Sequence, residues 1–174
     1  MQDVTVYDGL FSKDEMEKIT NIMLHNCPFH YGERDTIGIP PTGLVCDFGK
    51  MRIGKGFKKL LNDFVNKIYE KNENLKNTKL YRIYLNYFAP GENPYFHIDG
   101  QDTVTCLYYL NPEHNVNEGG ETQFLINDEI KGVQSKPGRL VIFDGSLKHR
   151  ATSFRSHPRL TLAIKFQIIS IVHF

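Results

Sequence analysis

Cysteine is sparse and unpatterned in this chain: Cys27, Cys46 and Cys106 are odd in number and show no C-x-x-C spacing. That argues against a disulfide framework and against a zinc finger, and reduced thiols in a reducing compartment are the plain expectation. An excess of either charge is lacking too. Basic residues number 21 and acidic residues 20, for a net charge of +1. No long Lys/Arg block advertises a nucleic-acid or membrane surface, so neither is expected as a partner. No run approaches the ~18 apolar residues of a membrane span. The opening MQDVTVYDGLFSKDE has neither the basic nor the apolar region of a secretory leader. A cytosolic protein, or a nuclear one by diffusion, is the expectation. Internal repeats and low-complexity tracts are absent as well. What is left is 174 residues, 40% apolar, enough for one domain spanning 1–174 with its own core.

Residues 4–7 (VTVY) have the composition of a short strand, and Ser12-Lys13-Asp14-Glu15 forms a capping-box sequence that opens a helix. Met16, Ile19 and Met23 give that helix one apolar stripe, ending near Asn26. From Pro28 to about Lys55 periodicity vanishes and glycines and prolines punctuate the chain, which predicts a long irregular excursion. It would be either a lid or a solvated connector. As a lid, its mixture of Arg34, Asp35 and Thr36 with Ile37, Ile39 and Pro40 suits an extended peptide. Phe57, Leu60, Leu61, Phe64, Val65 and Ile68 then predict a second helix with a wide apolar face. After KNENLKNTK the pattern switches to period two, with strands expected at 80–88, 95–99, 103–110, 122–126, 139–143, 147–153 and 159–168. Helices first and strands afterwards imply a mainly β (α+β) chain: residues 1–79 hold a strand, supporting helices and the candidate lid, and 80–168 form a jelly-roll core.

The chemistry concentrates around His97-Ile98-Asp99. On an extended strand side chains alternate, so an imidazole and a carboxylate two residues apart point the same way. Alone, His-x-Asp is a weak signal, expected by chance about 0.4 times in a chain with this many His and Asp. It gains weight from His149, followed ten residues later by Arg159. Two His and one carboxylate on one face of a metal leave positions open, the arrangement of non-haem Fe(II) oxygenases. His157 sits in a turn directly before Pro158 and His173 is next to the last residue, so His149 is the better third ligand. Arg159, Thr161 and Ala163 alternate opposite Leu160, Leu162 and Ile164. A guanidinium beside two small residues has room for a carboxylate, whose two oxygens match its fork; a buried ion pair is the competing reading. Tyr81, Ile83, Leu85 and Tyr87 share a face, as do Thr105, Leu107 and Tyr109. Tyr87 is then either a pocket phenol or a core residue. Cys46, inside the aperiodic segment, is either an exposed thiol or an inert packed one.

The segment VTCLYYLN, with HIDG upstream, GGET downstream and the closing H-x9-R, resembles the Fe(II)- and 2-oxoglutarate-dependent oxygenases, within them the prolyl 4-hydroxylase branch and its hypoxia-sensing type. The resemblance covers about residues 80–168. It implies a double-stranded β-helix and hydroxylation of a prolyl residue in a protein or peptide, coupled to conversion of 2-oxoglutarate and O2 to succinate and CO2, with ascorbate as reductant. Another residue or a free amino acid as substrate keeps the same motifs, and a non-catalytic binding module keeps only the fold. Carried over residue by residue, the metal ligands are His97, Asp99 and His149. Arg159 meets the distal carboxylate of 2-oxoglutarate, Tyr87 and Tyr109 are the phenols lining its pocket, and Thr122 and Thr161 are further contacts. Oligomeric state and target are not implied.

Overall fold

The computed structural model describes residues 4–31, Arg34 and residues 38–169. Asp35, Thr36, Ile37 and His173 lie outside the described residues. In chain order the elements are β1 (Val4–Tyr7), α1 (Lys13–Asn26), β2 (His30–Tyr31), β3 (Leu44–Asp47), α2 (Lys55–Lys71), β4 (Thr78–Phe88), β5 (Thr103–Tyr109), β6 (Thr122–Ile126), β7 (Glu129–Val133), β8 (Leu140–Asp144), β9 (His149–Ala151) and β10 (Arg159–Ile168).

Helix α1 starts as its sequence dictates. The Glu15 amide donates to Ser12 Oγ at 3.3 Å and the Ser12 amide donates to Glu15 Oε2 at 2.8 Å, closing the capping box. Its buried stripe is Met16, Ile19 and Met23, and α2 buries Leu61, Phe64, Val65 and Ile68. Both stripes pack on one face of a seven-stranded antiparallel sheet ordered β1-β8-β5-β10-β4-β3-β2. Phe64, for example, meets Phe11 at 4.6 Å and Tyr108 edge-on at 5.1 Å between ring centroids. A smaller sheet, β7-β6-β9, covers the other face, and a second core of Tyr84, Leu107, Tyr109, Phe124, Val141, Phe143 and Ala163 fills the space between.

The central strand β10 shows how the layers divide its residues. Leu160, Leu162, Ile164 and Phe166 join the core under the helices. Arg159, Thr161 and Lys165 line the cavity between the sheets, and Ala163 joins the core there. Each fully buried aliphatic side chain contributes about 2 kcal/mol. Two facing antiparallel sheets braced by N-terminal helices make the fold a double-stranded β-helix, mainly β with an α-helical buttress.

Three local expectations are corrected. The excursion from Pro28 to Lys55 is not wholly irregular: β3 adds to the edge of β4, with Leu44 opposite Tyr87 and Asp47 opposite Tyr84, and β2 pairs with β3. Entry into β3 requires Gly43, whose φ is +71° and where a Cβ would collide with the Phe88 ring and the Tyr87 carbonyl. Cys46 is packed within β3 and 1% exposed. Residues 95–99 form no strand; a single bridge joins His97 to His149. Strand β7 was not anticipated. It follows β6 through Asn127 and Asp128, with φ of +52° and +61°, the two-residue mirror-image turn that matches strand twist in hairpins.

Candidate active site

The His97–His149 bridge assembles the site. Each residue's amide donates to the other's carbonyl at 2.9 Å, placing two imidazoles side by side with ring centroids 4.6 Å apart. The Asp99 amide donates to Gly145 O at 2.7 Å, which fixes the carboxylate two residues on. His97 Nε2 is 3.7 Å from Asp99 Oδ1, and His149 Nε2 is 3.6 Å from Asp99 Oδ2. The three ligand atoms lie within 4.8 Å of one another. Both Nδ1 atoms face carbonyls, Tyr95 O at 3.0 Å and Leu147 O at 2.8 Å. A carbonyl only accepts, so each Nδ1 carries the proton and each Nε2 keeps its lone pair for a metal. Burial pushes the His149 pKa down to about 4, partly opposed by Asp99, so this ring is neutral at neutral pH. One carboxylate oxygen and two imidazole nitrogens with open positions beyond them fit a divalent ion such as Fe(II).

Lys165 also belongs to this cluster, and the sequence reading missed it. Its Nζ is 2.5 Å from Asp99 Oδ1, and Thr105 Oγ1 donates to Asp99 Oδ2. Burial alone would raise the Asp99 pKa, but Lys165, His149 and the Thr105 hydrogen bond outweigh it and hold it below the usual carboxylate value. For Lys165 burial would lower the pKa, and the neighbouring Tyr84 and Asp99 raise it instead. The available signal was the alternation itself, since Lys165 continues the series Arg159, Thr161, Ala163 two residues at a time.

From this cluster a cavity of about 230 Å³ runs to Arg159, with Leu107, Thr122 and Thr161 along it and Arg34, Thr42 and Pro94 on other walls. Arg159 is 1% exposed. It donates from Nε to Gly120 O at 2.9 Å, from Nη2 to Thr122 Oγ1 at 2.9 Å and from Nη1 to Thr161 Oγ1 at 3.5 Å. No carboxylate among the described residues forms an ion pair with it. A guanidinium has five N–H groups, so these three bonds leave donors for an incoming carboxylate. Gly120 is positioned at φ +79°, and any Cβ there would drive into the Phe154 ring. Tyr109, with no exposed surface, shares a 2.6 Å hydrogen bond with Thr122 and carries the Arg159 guanidinium 5.3 Å from its ring centroid.

The pocket is lined by His97, Asp99, His149, Arg159, Thr122 and Thr161, and Tyr109 lies behind that lining, against Thr122 and Arg159. The lining does not include Tyr87. On β4 the residues lining the cavity are Arg82, Tyr84, Asn86 and Phe88. Tyr87 faces the helices, packs against Phe29 with ring centroids 5.6 Å apart and planes tilted by 57°, and borders a separate apolar cavity with Leu110, Pro112 and Leu160. Both faces of β4 are covered, so an apolar alternating set did not mark the pocket side. The phenol that β4 presents to the cavity is Tyr84, beside Lys165.

No curated protein matches the chain in sequence. Three of the many solved structures that share its fold illustrate the likeness. A Pseudomonas putida prolyl-4-hydroxylase is 15% identical over 97% of this chain and 94% of its own, with a TM-score of 0.73. A Trichoplax adhaerens prolyl hydroxylase, in complex with a hypoxia inducible factor peptide fragment, is 17% identical over 95% and 84%, with a TM-score of 0.71. HygX from Streptomyces hygroscopicus, with nickel, 2-oxoglutarate and hygromycin B bound, is 12% identical over 97% and 84%, also at 0.71. No helix among the described residues is long and apolar enough to cross a membrane. The family model of the 2OG-Fe(II) oxygenase superfamily matches residues 83–167, the stretch that carries both sheets' central strands and the His97, Asp99 and His149 cluster.

Proposed function

We propose that the chain is a dioxygenase that hydroxylates a prolyl residue of a protein or peptide, with Fe(II), 2-oxoglutarate and O2, and with ascorbate as reductant. The observation that carries the cosubstrate assignment is Arg159, a buried cation that no carboxylate among the described residues pairs with, facing a cavity whose other end is two imidazoles and a carboxylate. Burying such a charge is costly unless an anion arrives to meet it.

In this reading His97 and His149 present Nε2, and Asp99 presents a carboxylate oxygen. Fe(II) bound there would supply oxygen activation, coupled to decarboxylation of 2-oxoglutarate to succinate and CO2. Arg159 holds the distal carboxylate through its unused N–H groups, Thr122 and Thr161 keep the guanidinium in plane with it, and Leu107 lines the space between. The two sheets exclude water from this end.

The prolyl target is supported by the VTCLYYLN segment and by two structural neighbours that are prolyl hydroxylases, one of them bound to a peptide fragment. Mass spectrometry of a peptide library incubated with enzyme, Fe(II) and 2-oxoglutarate tests it. One added oxygen on proline is expected. Oxygen on another residue, or on small molecules only, would move the chemistry to a different substrate, and absence of 2-oxoglutarate turnover would overturn the enzyme reading.

Arg34 and Thr42 border the cavity, so the segment between β2 and β3 is proposed to cover the mouth and select substrate. Shortening it within residues 38–42 should leave uncoupled 2-oxoglutarate decarboxylation nearly intact while peptide hydroxylation falls. Equal loss of both would make the segment a support of the sheet edge.

A further inference from the structure

Asp99 is a carboxylate with almost no exposure, 3% for its side chain, and both of its oxygens are engaged. Lys165 Nζ meets Oδ1 at 2.5 Å, and Thr105 Oγ1 meets Oδ2. Lys165 is itself only 7% exposed. It is held from both sides, paired in register with Thr105 of β5 and with Arg82 of β4, and its ammonium lies 5.2 Å from the Tyr84 ring centroid. The charged and titratable groups facing this ammonium are therefore Asp99, His149 and Tyr84, with Arg82 on the neighbouring strand. Asp99 is its one anionic partner among the described residues at neutral pH. Two cations then compete for one carboxylate, because any divalent ion taken up by His97, Asp99 and His149 sits a few ångströms from the ammonium.

We infer that Lys165 is a built-in counter-ion of this centre: it neutralises Asp99 before a metal arrives and thereby weakens divalent-cation uptake. The inference rests on the reading of His97, Asp99 and His149 as metal ligands. Without Lys165 the metal-free protein would bury an uncompensated carboxylate between two sheets. With it, each binding event must displace or repel a positive charge held at short range in a poorly solvated site. A residue that merely oriented a ligand would have the opposite effect on removal, since a disordered Asp99 would bind metal less well. Lys165 thus acts on the metal through Asp99, and the sign of its effect distinguishes it from a residue that only orients the ligand.

The test uses the full chain stripped with chelator, with Mn2+ as the probe in calorimetric titration and thermal unfolding as a second measurement. Lys165→Met is expected to bind Mn2+ at least about tenfold more tightly than wild type, to unfold at a lower temperature without metal, and to gain more from added Mn2+ than wild type does. Lys165→Arg, which keeps the charge, should stay within about threefold of wild-type affinity. Weaker or unchanged Mn2+ binding in Lys165→Met overturns the inference. Absence of Mn2+ binding by both wild type and Lys165→Met overturns the metal-centre reading itself and takes this inference with it. If Lys165→Met does not fold without metal, the double variant Asp99→Asn/Lys165→Met, which removes both charges, decides: stability regained supports the pairing, and none regained overturns it.

Discussion

The Tyr109 hydroxyl lies 2.6 Å from Thr122 Oγ1, and the contact ties β5 of the larger sheet to β6 of the smaller one at the Arg159 end of the cavity. Thr122 Oγ1 also accepts from Arg159 Nη2. Thr122→Val keeps the shape and deletes this shared oxygen, leaving the Arg159 guanidinium and the Tyr109 hydroxyl each one hydrogen-bond partner short. A loss of about 1–3 kcal/mol in unfolding free energy is expected, together with a several-fold rise in the Kd for 2-oxoglutarate, both readable from thermal unfolding with and without the cosubstrate.

Arg159 should show a graded response. Arg159→Lys keeps a cation but loses the planar fork and the bonds to Gly120 and Thr122. Arg159→Ala removes the charge altogether. Titration of 2-oxoglutarate is expected to show weaker binding in the first variant and weaker still in the second, and unchanged affinities would return Arg159 to a structural role.

Tyr87 separates the family resemblance from the geometry of this chain. Because its ring packs on Phe29 behind the sheet, Tyr87→Phe should leave 2-oxoglutarate affinity unchanged. Tyr87→Ala should lower stability by about 2–4 kcal/mol through lost packing, again without a direct effect on the cosubstrate. A selective loss of 2-oxoglutarate binding in Tyr87→Phe would show that the phenol reaches the pocket after all.

Acid should destabilise the metal-free protein in a defined window. His149 has an ordinary value of 6.5 and is pushed down to about 4 when folded, chiefly by burial. Above 6.5 neither state holds the proton and stability is full. As pH falls from 6.5 toward 4 the unfolded chain takes up a proton that the folded chain refuses, and about 3 kcal/mol is lost. Asp99, whose pKa is lowered from 3.8, adds a further loss only below that value. Denaturant unfolding at stepped pH should show the first decline, and His149→Gln should flatten it.

Local rules reach far in this chain. The capping box at Ser12 and the stripe of Met16, Ile19 and Met23 define α1 because neighbouring residues alone satisfy them. Strict alternation puts Arg159 and Thr161 on one face of β10, and motif spacing brings His97, Asp99 and His149 into view although the outer two are 52 positions apart. The family model of the 2OG-Fe(II) oxygenase superfamily matches the stretch that holds that pattern, residues 83–167. Tertiary structure decided the rest. Period two says which residues of β4 share a face, but both faces are covered, one by helices and one by the smaller sheet. Only closure of the two sheets selected Tyr84 over Tyr87 for the cavity. Leu44–Asp47 became a strand because the edge of β4 offered it hydrogen-bond partners. Lys165 met Asp99, 66 positions away in sequence, because antiparallel pairing of β10 with β5 set Lys165 opposite Thr105, whose hydroxyl donates to Asp99. Such a pairing depends on long-range register, which no local window of sequence contains.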